Sequence, residues 1–326
     1  LTERTLVTGA TGFVGSALCR ALTSQDRPVR ALHRSTSNLA ALEGLPVEPV
    51  VGDLLAPESL RAAMQGIDLV FHAAAPSAYW RHPKQVVGVI VDGTRNVIRA
   101  SLEAEVRKAV ITSSLAAMGV PAPNEMLTER HTFNLPPRRF PYGYAKRQAE
   151  IESVRLAEGK LHLVIVNPAV VLGPGDRNQI SGSLVVETAR RRNLIWLEGG
   201  MNVIHIEDVV AGHLAAAQKG RSGERYILGA HNLTHRHILT TTAEVAGRPH
   251  PKIKLPPGLI SPAAAVVDLL RRFVRLPLDG NQIRMSRHYL YCDSSKAQKE
   301  LALSKPLSFR QAVEDTYAWY VEEGVI

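Results

Sequence analysis

Thr8-Gly9-Ala10-Thr11-Gly12-Phe13-Val14-Gly15 closes a short apolar run, Thr5-Leu6-Val7, and leads into a helix-competent stretch over residues 16–22. Its three glycines stand three residues apart, a spacing that differs from the G-x-G-x-x-G fingerprint. Glycine lets main chain approach a ligand closely, and the helix start behind it presents unpaired N–H groups and a partial positive charge. A strand, a glycine turn and a helix in that order form a cradle for a diphosphate. Gly9, Thr11, Gly12, Phe13, Val14 and Gly15 are therefore candidate cofactor contacts, with a purely structural turn as the competing reading of the glycines taken alone.

Outward from this turn, short apolar runs near 5–8, 28–33, 47–51, 68–72, 109–112 and 163–166 alternate with helix-length segments near 13–24, 84–104 and from Tyr142 onward. The alternation predicts βαβ units, and the continuous apolar character of the strands predicts a parallel sheet covered on both faces. The fold class expected is α/β, a Rossmann-type doubly wound parallel sheet with a smaller C-terminal α/β substrate domain. Beyond Pro168 the composition shifts to Gly173-Pro174-Gly175 and a proline-rich stretch at 249–262. Residues 203–210, an alanine-rich helix and Tyr226-Ile227-Leu228 read as a return to the first sheet. The expected division is discontinuous: 1–168 with 203–229 for the nucleotide, 169–202 with 230–326 for the substrate.

The second strand ends Val29-Arg30-Ala31-Leu32-His33-Arg34-Ser35, without the carboxylate that accepts from the ribose hydroxyls of NAD. Arg34 offers a planar donor fork suited to a 2′-phosphate, with Ser35 and Ser37 as further donors, which favours NADP(H) over NAD(H). A solvated surface arginine is the alternative. After the third strand, Asp53 is placed to accept from an adenine amino group, with Leu54 beside the ring; a helix cap is the competing reading. Ala73, Ala74 and Ala75 supply small side chains where a cofactor would cross the sheet edge, and the cofactor candidates continue through Thr112, Asn167, Pro168 and Val170.

Tyr142-Gly143-Tyr144-Ala145-Lys146 puts Tyr142 and Lys146 four residues apart, on one face of a helix. A tyrosine titrates near 10, so acid–base work at neutral pH needs a fixed cation beside it, which Lys146 supplies. Thr112-Ser113-Ser114 ends the fifth strand at the carboxyl edge of the sheet, where a serine hydroxyl polarises a carbonyl. The order of glycine turn, serines, then Tyr and Lys carries the assignment, because an isolated Tyr-x-x-x-Lys is common.

The 326 residues carry a formal charge of +9 and two cysteines, Cys19 and Cys292, which form neither a disulfide framework nor a metal cluster. No run is long and apolar enough to span a membrane, no secretory signal precedes the first strand, and a cytoplasmic protein is expected. Arg190-Arg191-Arg192, without interleaved aromatics, reads as a helix face and not as a nucleic-acid site. His231, His235 and His237 read as a solvated cluster without a carboxylate at ligand spacing; no metal is expected.

With these motifs in place the chain resembles the extended short-chain dehydrogenase/reductase (NAD-dependent epimerase/dehydratase) superfamily along essentially its whole length. The resemblance rests on residues 8–15, Gly52-Asp53-Leu54, Asp92-Gly93-Thr94-Arg95-Asn96-Val97, Thr112-Ser113-Ser114, residues 142–146 and Asn167-Pro168. Within it the chain is most similar to the dihydroflavonol reductase-like branch, which includes bacterial hopanoid-associated sugar epimerases, through residues 205–213 and 223–229. The resemblance implies that the Tyr142 phenol exchanges the substrate proton, that Lys146 lowers its pKa and binds the nicotinamide ribose, and that Ser114 orients the substrate oxygen. Ser114 is preferred to Ser113 because Gly119 follows it at the usual distance. Ile90 stands where many relatives have an asparagine, which removes that residue's proton relay. The resemblance also implies a homodimer through the helices near 84–104 and 142–158.

Two reactions remain open on the sequence. A carbonyl reductase moves hydride from NADPH to a ketone or aldehyde; a nucleotide-sugar epimerase or dehydratase keeps its cofactor and oxidises the sugar transiently. Met201-Asn202-Val203-Ile204-His205 stands where sugar-nucleotide enzymes carry an Arg-Asp pair, which favours the reductase, whereas the arginines at 190–192 offer another diphosphate grip. A cofactor-binding regulatory protein is the reading outside catalysis, opposed by the presence of Ser114, Tyr142 and Lys146. Tyr79-Trp80, the Phe140 region and a helix near 259–273 are candidates to line a cleft for a small-molecule carbonyl or sugar substrate, with core or interface packing as the alternative.

Overall fold

A computed structural model describes residues 3–76, 83–190, 195–270 and 280–326. The chain begins with β1 (Thr5–Thr8), α1 (Phe13–Thr23), β2 (Val29–His33), β3 (Val47–Val51), α2 (Pro57–Ala63) and β4 (Leu69–His72). It continues with α3 (Pro83–Glu103), β5 (Lys108–Thr112), α4 (Pro141–Ala157), β6 (His162–Pro168), β7 (Val170–Leu172), α5 (Ser183–Ala189), β8 (Ile195–Trp196) and β9 (Gly200–His205). Then come α6 (Ile206–Lys219), β10 (Arg225–Leu228), β11 (His231–Thr234), α7 (His235–Val245), β12 (Ile253–Lys254) and α8 (Pro257–Leu270). The last elements are α9 (Gly280–Met285), β13 (Tyr289–Leu290), α10 (Ser295–Glu300) and α11 (Phe309–Glu322).

Seven strands form one parallel sheet in the order β10-β6-β5-β4-β1-β2-β3, the doubly wound arrangement expected from the sequence. Alternate side chains enter opposite cores, because successive residues of a strand face opposite sides of the sheet. Val7, Phe71, Val110 and Val164 pack on one face with Leu18, Leu22 and Val209 from α1 and α6. Leu6, Val70, Ile111 and Ile165 pack on the other with Leu60, Val97 and Ile98 from α2 and α3. With both faces covered, the strands have no polar side to show, which is why they read as unbroken apolar runs.

A smaller sheet is built on β9, antiparallel to β11 and parallel to β7 and β13. This corrects the expectation for residues 203–205, which lie in the small sheet and not the large one. Val203 and Ile204 are apolar enough for either, and the chain leaves the strand at His205, whose side chain caps α6 by accepting from the Glu207 N–H. The return to the large sheet begins with α6 and ends with β10 paired to β6.

Strand order reverses between β1 and β4, so a crevice opens at their carboxyl ends, the position at which open α/β sheets take ligands. The turn after β1 and the chain after β4 meet there closely. Gly9 holds φ +66°, and a Cβ on it would stand 2.6 Å from the Ala74 Cα; one on Gly15 would stand 2.1 Å from the Gly9 carbonyl oxygen. Gly12, by contrast, has only that same oxygen near, at 3.2 Å. Gly15→Ala should therefore cost about 1–3 kcal/mol of unfolding free energy as an overpacked backbone contact, and Gly12→Ala clearly less. Urea denaturation of both variants measures the difference.

Candidate active site

Gly12 caps α1 through its backbone alone, with no side chain on the first amides and no acidic residue in the first turn. The N–H groups of Phe13, Val14 and Gly15 have no carbonyl one turn earlier within the helix to bond, and they stand just beyond the carboxyl end of β1. That arrangement fits a diphosphate. Ala73 and Ala74, half-buried, and Ala75, exposed, form the other wall.

At the end of β2, Arg34 and Ser35 are exposed, and the Ser37 hydroxyl accepts from the Arg34 N–H at 3.2 Å, which shapes the turn that presents the guanidinium. The site has a cation where an NAD-binding strand has a carboxylate. Asp53 is exposed and its Oδ1 accepts from the Leu55 N–H at 2.8 Å, so it shapes its own turn; the cap of α2 is Ala56, which removes the helix-cap reading. The Leu54 carbonyl accepts from Asn96 Nδ2 at 2.9 Å, so α3 fixes the loop that follows β3.

Pro141 sets the first turn of α4, with its fixed φ and no N–H to satisfy, and Tyr142 follows it at once. Tyr142 is half-buried against Val86, Ile90, Ala145 and Ala149. Ile90 thus supplies an apolar wall beside the phenol-bearing helix. One turn on, Lys146 is buried, its Nζ donating to the Thr112 carbonyl at 2.8 Å and lying 6.0 Å from the Tyr142 ring centroid. Burial lowers the Lys146 ammonium to about 8, against which the Glu150 carboxylate works. Ser114 caps a short 3-10 turn over Leu115–Met118, its Oγ accepting from the Ala116 N–H at 3.2 Å, which leaves its hydroxyl proton to donate. Gly143 brings α4 onto this turn, since a Cβ there would stand 2.5 Å from the Ala116 carbonyl oxygen.

Three expected cofactor contacts have side chains committed elsewhere. The Thr112 hydroxyl bonds His213 Nε2 at 2.8 Å beneath the sheet, so only its carbonyl faces Lys146. Asn167 is fully buried, its Nδ2 donating to the Ser114 carbonyl at 3.0 Å and to Glu150 at 2.6 Å. Val170 packs into the core of the small sheet, while Pro168 ends β6. His231 and His235 are not a solvated cluster: their Nε2 atoms meet the Leu307 and Ser286 carbonyls at 2.7 and 3.0 Å, and burial lowers His235. Among the described residues, no three or more His, Cys, Asp or Glu side chains stand together as metal ligands. Tyr79-Trp80, Arg191, Arg192 and Phe273 lie outside the described residues, and Arg190 donates to the Val325 carbonyl at 2.8 Å. Phe140, half-buried, stands at the start of α4, and Leu259 of α8 is exposed.

The sequence reading missed two buried assemblies. His72 bridges Thr8 and Thr94, at 2.7 and 3.0 Å, and burial lowers it to about 3, so it is a neutral strut between β1, β4 and α3. Glu150, 1% exposed, gathers Ser113, Asn167, Arg147 and Arg225. Its position one helical turn after Lys146 was the available signal.

Over residues 5–229 the chain matches the model of the NAD dependent epimerase/dehydratase family. The chain belongs to the NAD-dependent epimerase/dehydratase family. Members are NAD(P)-dependent oxidoreductases and epimerases. Two relatives share its length and 36% identity: a Synechocystis sp. protein provisionally named a dihydroflavonol 4-reductase, over 98% of this chain and 95% of the relative, and the sterol demethylase protein B of Methylococcus capsulatus, over 99% of each. The crystal structure of the protein gox2253 superposes with a TM-score of 0.86 at 34% identity, covering 100% of both chains. No helix among the described residues of this epimerase/dehydratase family member is long and apolar enough to cross a membrane.

The buried ammonium has a consequence for the protein without cofactor. Lys146 is lowered from 10.5 in the unfolded chain to about 8 in the fold, so between these values the unfolded state binds more protons and stability rises with pH. Relative to Lys146→Met, the wild type should gain up to about 3 kcal/mol from pH 8 to 10.5, at roughly 1.4 kcal/mol per unit. Denaturant titrations of both proteins at several pH values measure this.

Proposed function

We propose that the chain is an NADP(H)-dependent carbonyl reductase, with Tyr142 as acid and base, Lys146 as its tuner and Ser114 as the hydroxyl that orients the substrate oxygen. The observation that carries the cofactor preference is the exposed Arg34 at the end of β2, with no carboxylate between Val29 and Ser37. The observation that favours reduction over sugar chemistry is β9: Asn202 is buried and its amide is spent on Asn232 at 2.8 Å and on the Ala230 N–H at 2.9 Å. The strand where an Arg-Asp pair would grip a nucleotide diphosphate is thus occupied by a structural clasp.

The cofactor, when bound, supplies hydride to the carbonyl carbon of a ketone or aldehyde. Ser114 donates to the carbonyl oxygen, and the Tyr142 hydroxyl hands its proton to that oxygen as negative charge develops there. Lys146, held by the Thr112 carbonyl, places a positive charge by the phenol and makes the proton easier to release. Phe13 to Gly15 hold the diphosphate by their amides, and Arg34 and Ser35 the 2′-phosphate. A homodimer through α3 and α4 is part of the proposal, supported by Ile151 and Val154, which lie exposed on α4 at 46% and 38%.

Fluorescence titration should show NADPH bound at least about 10-fold more tightly than NADH, and Arg34→Ala should remove that preference, a hydrogen-bonded charge contact contributing roughly 1.5–3 kcal/mol. Tyr142→Phe should lower kcat with a carbonyl substrate by about 10²–10⁴ while NADPH still binds. Purified protein that carries NAD resistant to removal would overturn the reductase and point to the epimerase.

A further inference from the structure

The buried charge nearest Lys146 in sequence has no part in the chemistry above. Glu150 lies one turn further along α4, and both residues are grouped with Thr112 and Ser113. Its Oε1 accepts from Ser113 Oγ at 2.5 Å and from Asn167 Nδ2 at 2.6 Å; its Oε2 faces Arg147 at 3.0 Å and Arg225 at 3.3 Å. These donors come from the ends of β5 and β6, from α4 itself and from the first residue of β10. Asn167 donates also to the Ser114 carbonyl at 3.0 Å.

We propose that Glu150 is a positioning residue, which fixes Ser114 relative to Tyr142 and sets a negative charge beside Lys146. Through Ser113 directly, and through Asn167 to the Ser114 carbonyl, the carboxylate ties the strand end that carries the substrate-orienting serine to the helix that carries the tyrosine and the lysine. A shift of a few tenths of an ångström at this join changes the gap between the two hydroxyls that meet one carbonyl oxygen. Stability alone does not account for a charge at this place, since apolar side chains of similar volume often serve a buried position as well or better. The inference rests on the carbonyl-reductase reading for what is positioned, and on geometry for the positioning itself.

The electrostatic half follows from the groups around Lys146. Tyr142 and Glu150 lie with it on α4, and on β4 burial, helped by the Lys146 charge, holds His72 neutral. Arg147 and Arg225 stand on the other carboxylate oxygen of Glu150, and on α3 Arg95 is paired with Asp92 and Glu152. Glu150 is thus the one anion acting on Lys146 among the described residues. Neutralising it leaves the buried Lys146 without an anion to offset its desolvation.

Glu150→Gln keeps the size and removes the charge. The pH window over which Lys146 raises stability, read as the difference between Glu150→Gln with and without Lys146→Met, should open about one unit or more below its wild-type edge. In parallel, kcat for carbonyl reduction should fall roughly 10–100-fold with NADPH affinity unchanged, since Glu150 touches neither partner. A window that stays in place overturns the proposal, because a merely structural carboxylate would lower stability at every pH alike. Should Glu150→Gln fail to fold, Ser113→Ala removes one tie and no charge: it should lower kcat and leave the window unmoved, and unchanged kcat would overturn the positioning role. If the window moves but the wild type reduces no carbonyl compound, the reductase reading fails and the control of Lys146 by Glu150 stands.

Discussion

Two stretches of main chain approach one another at the carboxyl ends of β1 and β4 more closely than any side chain would allow. Gly9, at positive φ, lies against Ala74, and Gly15 lies against the Gly9 carbonyl. This approach fixes the direction in which α1 leaves the sheet, and with it the line of the amides at Phe13 to Gly15. It occurs where the strand order reverses, so the crevice and the amides coincide. The neighbouring edge positions, Ala73 to Ala75 on one side and Ser113-Ser114 on the other, take their places from the same strand ends.

Behind that crevice the sheet carries polar groups that a core of this kind tolerates only when each is paired. His72 spans Thr8 and Thr94, and His213 spans Thr112 and the Val209 carbonyl, each lowered by burial and so neutral at ordinary pH. Lys146 and Glu150 lie within the same layer, where a carbonyl, two arginines, a serine and an amide surround them. The helix α4 thus brings Lys146 and Glu150 into the core one turn apart, with Tyr142 a turn before them.

Much of this was legible before the fold was seen, for definite reasons. Strand positions declared themselves because both faces of the sheet are apolar, and Tyr142 and Lys146 because their spacing matches one helical turn. The place of Ser113 and Ser114 at a strand end was legible in the same way, and the choice between them rested on the resemblance. What stayed hidden depends on contacts distant in sequence: Glu150 meets Ser113 and Arg225, and His213 meets Thr112, across separations that no local pattern records. Thr112 and Asn167 were placed at the right edge of the sheet but facing the cofactor, because a strand's register does not reveal which polar partner lies under it. Residues 203–205 were given to the large sheet since an apolar strand suits either sheet, and the pairing with β7 and β11 decides.

Strand β10 has a consequence for the way the chain is assembled. The large sheet is closed on its β6 edge only by residues 225–228, after the chain has travelled through β7 and β9 of the small sheet and through α5, β8 and α6. A nascent polypeptide that has reached β9 therefore holds six parallel strands with the apolar, unpaired margin of β6 still open. Such a margin is a template for misassociation until its partner arrives, and parallel pairings with long separations form slowly. The Arg225 side chain that accompanies the closing strand also completes the cage around Glu150, so the surroundings of that carboxylate on α4 are finished only when the last strand joins the sheet.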